Sequence, residues 1–270
     1  MRAHPWMPTS PCGPSCVDTA PKVGVLRVLV RAIRLLGAIA AAVLHRTPPS
    51  QRCVRVLRAC GARLVVHGEL PPSGRGALVA SNHISWLDIL AVNAVTPMRA
   101  LAKAEIASWP VVGGLIARAG TIFVDRERLS TLPATVAELA AALRAGALVN
   151  VSAEGTTWCG AASGRFVPAP FQAAIDGGVP VRPVALRYRL AGGTETTRPA
   201  FLGPDSLLAS VRRVLRLRGL VVEVFVCDEI APGRARDRGE LARLTEAAVH
   251  SALGRDVVAP VGRDVPVPAR

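Results

Sequence analysis

Two hydrophobic periods alternate along most of this chain. Short aliphatic and β-branched runs at 62–67, 77–80, 98–105, 120–124, 147–151, 178–184 and 220–226 are bounded by Gly, Pro or polar turns and predict strands. Between them, a segment starting at 89 and the stretches 109–119, 131–145, 171–177, 205–216 and 238–253 predict helices. This alternation specifies an α/β domain with a mixed, largely parallel central sheet flanked by helices. A Pro-Pro-Ser-Gly turn at 71–74 separates the first two strands.

The N-terminal quarter follows another pattern. Residues 1–22 are rich in Pro, Cys and small polar residues without periodicity, which predicts a disordered tail. From 23 to 46 a helix is expected, with Arg27, Arg31 and Arg34 on one face and Leu26, Leu29, Ile33 and Leu36 among the apolar residues that fill the rest. Its uncharged run, 35–44, is too short for a hydrocarbon core that needs about 20 residues. An interfacial helix with Arg at headgroup level and an ordinary helix packed on the domain both fit. A second helix at 51–60 carries Arg52, Arg55 and Arg58, which reads best as a solvated face. The expected organisation is a tail at 1–22, docking helices at 23–61, a main domain at 62–255 and a flexible tail at 256–270.

Composition changes this picture little. Half of the residues are hydrophobic but only 4% are aromatic, so Ala, Val and Leu must fill the core. The net charge of +14 predicts an acidic partner, such as an anionic membrane surface or a phosphorylated substrate. Nucleic acid is not expected, because the charge is spread and no recognition module accompanies it. Lys occurs only at 22 and 103. The six cysteines, at 12, 16, 53, 60, 159 and 227, include no CxxC pair, so free thiols and no metal are expected, with Cys12 and Cys16 in the tail as the candidate exceptions.

Candidate chemistry is densest at Ser81-Asn82-His83-Ile84-Ser85-Trp86-Leu87-Asp88. A strand that hands over to a helix makes its turn at the sheet's carboxyl edge, where open α/β sheets hold ligands. Five residues of continuous helix turn through about 500°, which would set His83 and Asp88 roughly 140° apart. A helix that starts near Ser85 instead leaves His83 free to fold back onto Asp88. Asp88 then accepts from Nδ1 and leaves Nε2 as a general base. The same spacing, Ser85-x-x-Asp88, is also a capping box.

The run Asn82 to Asp88 resembles the His-x4-Asp motif of glycerolipid acyltransferases, specifically the 1-acylglycerol-3-phosphate acyltransferase branch, and further motifs follow in that family's order. Lys103-Ala104-Glu105 and Trp109-Pro110 resemble its basic segment. Gly120-Thr121-Ile122-Phe123-Val124-Asp125-Arg126 resembles its second motif and Glu154-Gly155-Thr156 its third. Gly178-Val179-Pro180-Val181-Arg182-Pro183-Val184 resembles its fourth. The resemblance implies the glycerolipid acyltransferase fold, with His83 and Asp88 catalytic and Lys103, Gly120, Phe123, Arg126, Glu154, Gly155 and Thr156 binding substrate. It further implies an acyl tunnel lined by Val179, Pro180, Val181 and Pro183, and peripheral or monotopic attachment to the cytoplasmic face of the cell membrane.

The implied reaction moves a fatty acyl group from acyl-CoA or acyl-ACP to the sn-2 hydroxyl of 1-acyl-sn-glycerol-3-phosphate, without cofactor or metal. Backbone N–H groups near the His83 turn would serve the oxyanion. No Gly-x-Ser-x-Gly elbow is present, so direct attack is expected over an acyl-enzyme. Thr157 stands where many phosphatidate-forming members have Arg, which keeps another lysolipid acceptor open, such as lyso-ornithine lipid. A lipid-binding relative without catalysis is the third reading.

Overall fold

Ala77–Ser81 shows no polar alternation because both of its faces are covered; every position is buried. This strand, β2, lies inside a seven-stranded sheet ordered β1-β7-β6-β2-β5-β3-β4 in the computed structural model. The others are β1 (Ala62–His67), β3 (Arg99–Lys103), β4 (Ile122–Val124), β5 (Leu148–Ser152), β6 (Val181–Leu190) and β7 (Leu220–Val226). β6, β2, β5, β3 and β4 run parallel. β7 is antiparallel to β6, and β1 runs parallel to β7. The described residues are 8–44, 47–70, 74–203 and 205–255; the expected tail at 256–270 and most of the turn at 71–74 lie outside them.

Helices cover both faces, as a sheet that is largely parallel requires. One face carries α1 (Val25–Leu44), α2 (Pro49–Ala59), α3 (Leu87–Val95) and α7 (Leu207–Arg216), with Leu57, Leu87, Leu186 and Leu217 in its core. The other carries α5 (Leu132–Arg144), α6 (Ala169–Gly177) and α8 (Arg238–Ala252) around Leu139, Leu143 and Phe171. Local chemistry sets the ends: Ser206 accepts from the Ala209 N–H to start α7, and Asp237 accepts from the Glu240 N–H to start α8. Between β3 and β4, α4 (Val112–Arg118) begins later than the apolar pattern suggested. Val111 adopts φ 64°, a costly conformation for a β-branched residue, in a tight turn whose Val112 N–H donates to the Pro110 carbonyl.

The tail expected to be disordered at 1–22 is corrected for residues 8–22, which are docked on the domain. Asp18 accepts from the Thr196 hydroxyl and the Thr197 N–H, and Arg198 donates to its carbonyl. Cys12, Cys16, Val17 and Ala20 pack on the core. Side chains that composition counts as loop formers here find fixed polar partners.

α1 is packed along one side and open along another. Leu35 is buried, while Leu26, Leu29, Ile33 and Leu36 are each more than half exposed. Arg31 does not join Arg27 and Arg34 at the surface as its spacing suggested. Its guanidinium donates to the carbonyls of Leu215 and Leu217 at 2.9 and 2.6 Å, capping the end of α7. No helix among the described residues is long and apolar enough to cross a membrane.

The β2–β6 ladder stops at Ser81 opposite Val184, and the Asn82 side chain takes over where the backbone turns away. Its Oδ1 accepts from the Leu186 N–H at 2.8 Å, and its Nδ2 donates to the Leu186 carbonyl at 3.0 Å. Asn82 is 2% exposed, so no water would replace those bonds cheaply. Asn82→Ala is expected to cost about 2–4 kcal/mol, seen as a lower urea midpoint with an unchanged m value.

Candidate active site

The turn after β2 folds as the spacing of His83 and Asp88 required. Helix α3 starts at Leu87, which leaves His83 in the turn, and His83 Nδ1 lies 2.9 Å from Asp88 Oδ2. The capping alternative is satisfied as well. Asp88 Oδ2 also accepts from the N–H groups of Ile84 at 2.6 Å and Ser85 at 2.8 Å. The two roles are one structure: the backbone donors hold the carboxylate that orients the imidazole. On its other oxygen, the Tyr188 hydroxyl donates at 2.5 Å. Asp88 is buried, whereas the His83 side chain stays 27% exposed.

Glu154 fixes the same turn from the neighbouring strand. Its Oε2 accepts from the His83 N–H at 2.6 Å and its Oε1 from the Gly164 N–H at 2.7 Å. The Trp158 N–H donates to the His83 carbonyl, and Trp86 Nε1 donates to Ser210 on α7. Gly155, at φ 68°, takes a left-handed conformation open to glycine, and a Cβ there would stand 2.7 Å from Pro8 of the docked N-terminal segment. These bonds also correct one expectation. The N–H groups of His83, Ile84 and Ser85 all point to carboxylates, so they are not available to an oxyanion.

Lys103 and Arg126 stand at the carboxyl ends of the adjacent parallel strands β3 and β4. At about 4.8 Å per strand, those ends lie about 10 and 14 Å across the sheet from β2. Partial burial lowers the Lys103 pKa, helped by the Arg126 guanidinium, and burial lowers that of Arg126; Glu105 offsets both. Asp125 pairs with Arg128 at 2.7 Å and not with its neighbour Arg126. Gly120, at φ 75°, gives its carbonyl to Arg99, and half-buried Phe123 sits on β4 opposite Ala102. Thr156 is half-buried in the turn beyond Gly155.

The fourth motif is placed otherwise. Val181 pairs with Leu78 and Pro183 with Ala80, at levels below the His83 turn. Pro180, Val181 and Pro183 are buried, Val179 packs beside α5 and α6, and the Pro180 carbonyl accepts from the Leu78 N–H. The expected acyl-tunnel wall is thus corrected to core packing where β6 begins, a position that suits proline because a strand's first residues owe fewer ladder bonds. Sequence reasoning missed Asn82 and Tyr188. Tyr188 had one available signal, as the single tyrosine of the chain in an aliphatic strand.

A family model described as Acyltransferase matches residues 63–187. The chain is 35% identical over 251 residues to a lyso-ornithine lipid O-acyltransferase of Pseudomonas aeruginosa, covering 84% of this chain and 94% of that one. The chain belongs to the acyltransferase family. This acyltransferase is also 36% identical over 202 residues to a 1-acyl-sn-glycerol-3-phosphate acyltransferase of Neisseria meningitidis, covering 74% of this chain and 78% of the relative. Its fold matches the crystal structure of the 1-acyl-sn-glycerophosphate acyltransferase of Thermotoga maritima with a TM-score of 0.61 and 20% identity, over 85% of this chain and 94% of that one.

Glu154 gives the acyltransferase a pH signature. Burial pushes its carboxyl from an ordinary 4.5 up to about 8, against the pull of the two backbone donors and Arg255. The folded state therefore binds a proton that the unfolded chain releases above about 4.5. This contribution is complete below that value and is lost as pH rises through about 8. Between about pH 5 and 8.5 the melting temperature should fall by roughly 5–10 °C from this group, and Glu154→Gln should flatten that slope in a calorimetric series.

Proposed function

We propose that this acyltransferase moves a fatty acyl group from acyl-CoA or acyl-ACP to the hydroxyl of a lysolipid, with 1-acyl-sn-glycerol-3-phosphate as acceptor. The observation that carries the chemistry is the His83–Asp88 pair, with Nδ1 held by a buried carboxylate. His83 Nε2 removes the proton from the acceptor hydroxyl as its oxygen attacks the thioester carbonyl. The C–S bond then breaks, and the imidazolium returns its proton to the departing thiolate. Asp88 stabilises the imidazolium, while Tyr188, kept neutral by burial and by the Asp88 charge beside it, fixes the carboxylate. The N–H groups of Thr156 and Thr157 have no protein partner among the described residues and are the donors we assign to the oxyanion.

Two cations at adjacent strand ends, Lys103 and Arg126, support a phosphate headgroup. Lyso-ornithine lipid is the second reading, supported by Thr157 in place of Arg and by the match along nearly all of the Pseudomonas aeruginosa relative. Thiol release by purified protein tests both acceptors side by side. Release with the phosphate acceptor, reduced about 10²–10⁴-fold by His83→Ala and with KM raised by Arg126→Ala, is the expected result. Release with lyso-ornithine lipid alone would move the function to the second reading, and release unaffected by His83→Ala would end the proposed mechanism.

The stripe Leu26, Leu29, Ile33 and Leu36, flanked by exposed Arg27 and Arg34, supports attachment of α1 to an anionic membrane surface. Leu29→Asp with Ile33→Asp should abolish cosedimentation with vesicles containing anionic phospholipid, while leaving the circular dichroism unchanged.

A further inference from the structure

Two thiols of the N-terminal segment meet a third from a distant loop beside the His83 turn. The sulfurs of Cys12, Cys16 and Cys159 all lie within 4.8 Å of one another. Cys16 ends the short 3₁₀ turn Pro14–Cys16, and Cys159 follows Trp158, whose N–H holds the His83 carbonyl. Two backbone donors aim at the cluster: the Cys159 N–H reaches Cys12 Sγ and the Ala162 N–H reaches Cys159 Sγ, each at 3.4 Å. A neutral thiol is a weak acceptor, whereas a thiolate makes good use of such donors.

Packing alone accounts poorly for this convergence. Thiols can serve as small hydrophobes, and Cys60 at the C-terminal end of α2 does so by itself in the core. The N-terminal segment, however, brings two cysteines from one turn against a third on a different loop. A tetrahedral site with metal–sulfur bonds of about 2.3 Å spaces its sulfurs about 3.8 Å apart. The observed cluster therefore needs to contract by no more than about 1 Å, which side-chain rotation can supply. A disulfide would use only two of the three.

We propose that Cys12, Cys16 and Cys159 bind one thiophilic closed-shell metal ion, for which Zn²⁺ is the probe, and that the ion latches residues 8–16 onto the loop beside His83. The three thiols lose their protons as three metal–sulfur bonds form, and a water completes the tetrahedron. Latching would hold Pro8 against Gly155 and so keep the Glu154 turn, and through it the His83 backbone, in place.

The test uses the full chain, reduced and stripped of metal, titrated with Zn²⁺ against a chelating indicator and with Co²⁺ as the spectroscopic probe. The expected result is one ion per chain, with thiolate-to-cobalt charge-transfer absorption. Affinity should fall at least about 100-fold in Cys12→Ser and Cys16→Ser and stay unchanged in Cys53→Ser, whose thiol lies outside the cluster. Zinc should also slow proteolysis within residues 8–22. Cys12 and Cys16 lie outside the sheet and its helices, so their variants should fold normally. Substoichiometric uptake would overturn the proposal, as would equal affinity in the Cys12→Ser and Cys53→Ser proteins, or a Cys12–Cys16 disulfide whose reduced form takes up no metal.

Discussion

The Asp88 carboxylate is the point on which the His83 turn depends. It accepts from four donors: the imidazole of His83, the N–H groups of Ile84 and Ser85, and the Tyr188 hydroxyl. Buried carboxylates are costly unless so surrounded, and here the donors that offset the cost are also the groups whose position matters. The start of α3, the direction of the imidazole and the level of β6 beside β2 are set by one side chain. A change at any of the four donors would therefore be felt at the other three.

Glu154 provides a second anchor, reached from another strand. Asp88 holds the turn from its own helix, whereas Glu154 holds the His83 backbone from the end of β5. Between them they use the amides that a ligand would otherwise meet first. In the proposed mechanism the working surface of the turn is the imidazole edge, with the next loop assigned the backbone donors and the ends of β3 and β4 assigned the charge. This division follows from parallel strands: each ends at the same edge, and each contributes a different kind of group.

Much of this arrangement was legible in the sequence, and the physical reasons are specific. Five-residue spacing excludes a His83–Asp88 contact within a helix and permits it across a helix start, so the pair could be argued from rotation alone. The buried run at 77–80 identified a central strand because it lacks alternation. The partners contributed by long-range folding were hidden. Tyr188 looks like one position of an alternating strand until β6 is laid beside β2. Asn82 reads as part of a motif until its amide is seen to replace a ladder bond. The prolines of β6 suggested a lined tunnel but sit where the strand enters the core. The N-terminal segment looked unstructured because its polar partners, Thr196, Thr197 and Arg198, lie at least 178 residues away in sequence.

The edge of the sheet carries a consequence for how this chain assembles. β1 is an outer strand whose ladder partner is β7, with Ala62 beside Leu220 and His67 beside Phe225. During synthesis β1 emerges more than 150 residues ahead of its hydrogen-bonding neighbour. Until then α1 and α2 have α3 but not α7 to rest on, and the contacts that close the domain are among its longest in sequence. Helix α2 packs on α3, which follows it closely in sequence, whereas β1 awaits β7 and one side of α1 awaits α7. Folding order and chain order thus run in opposite directions at this edge, and the apolar helix most exposed in the finished molecule is also exposed for most of its manufacture.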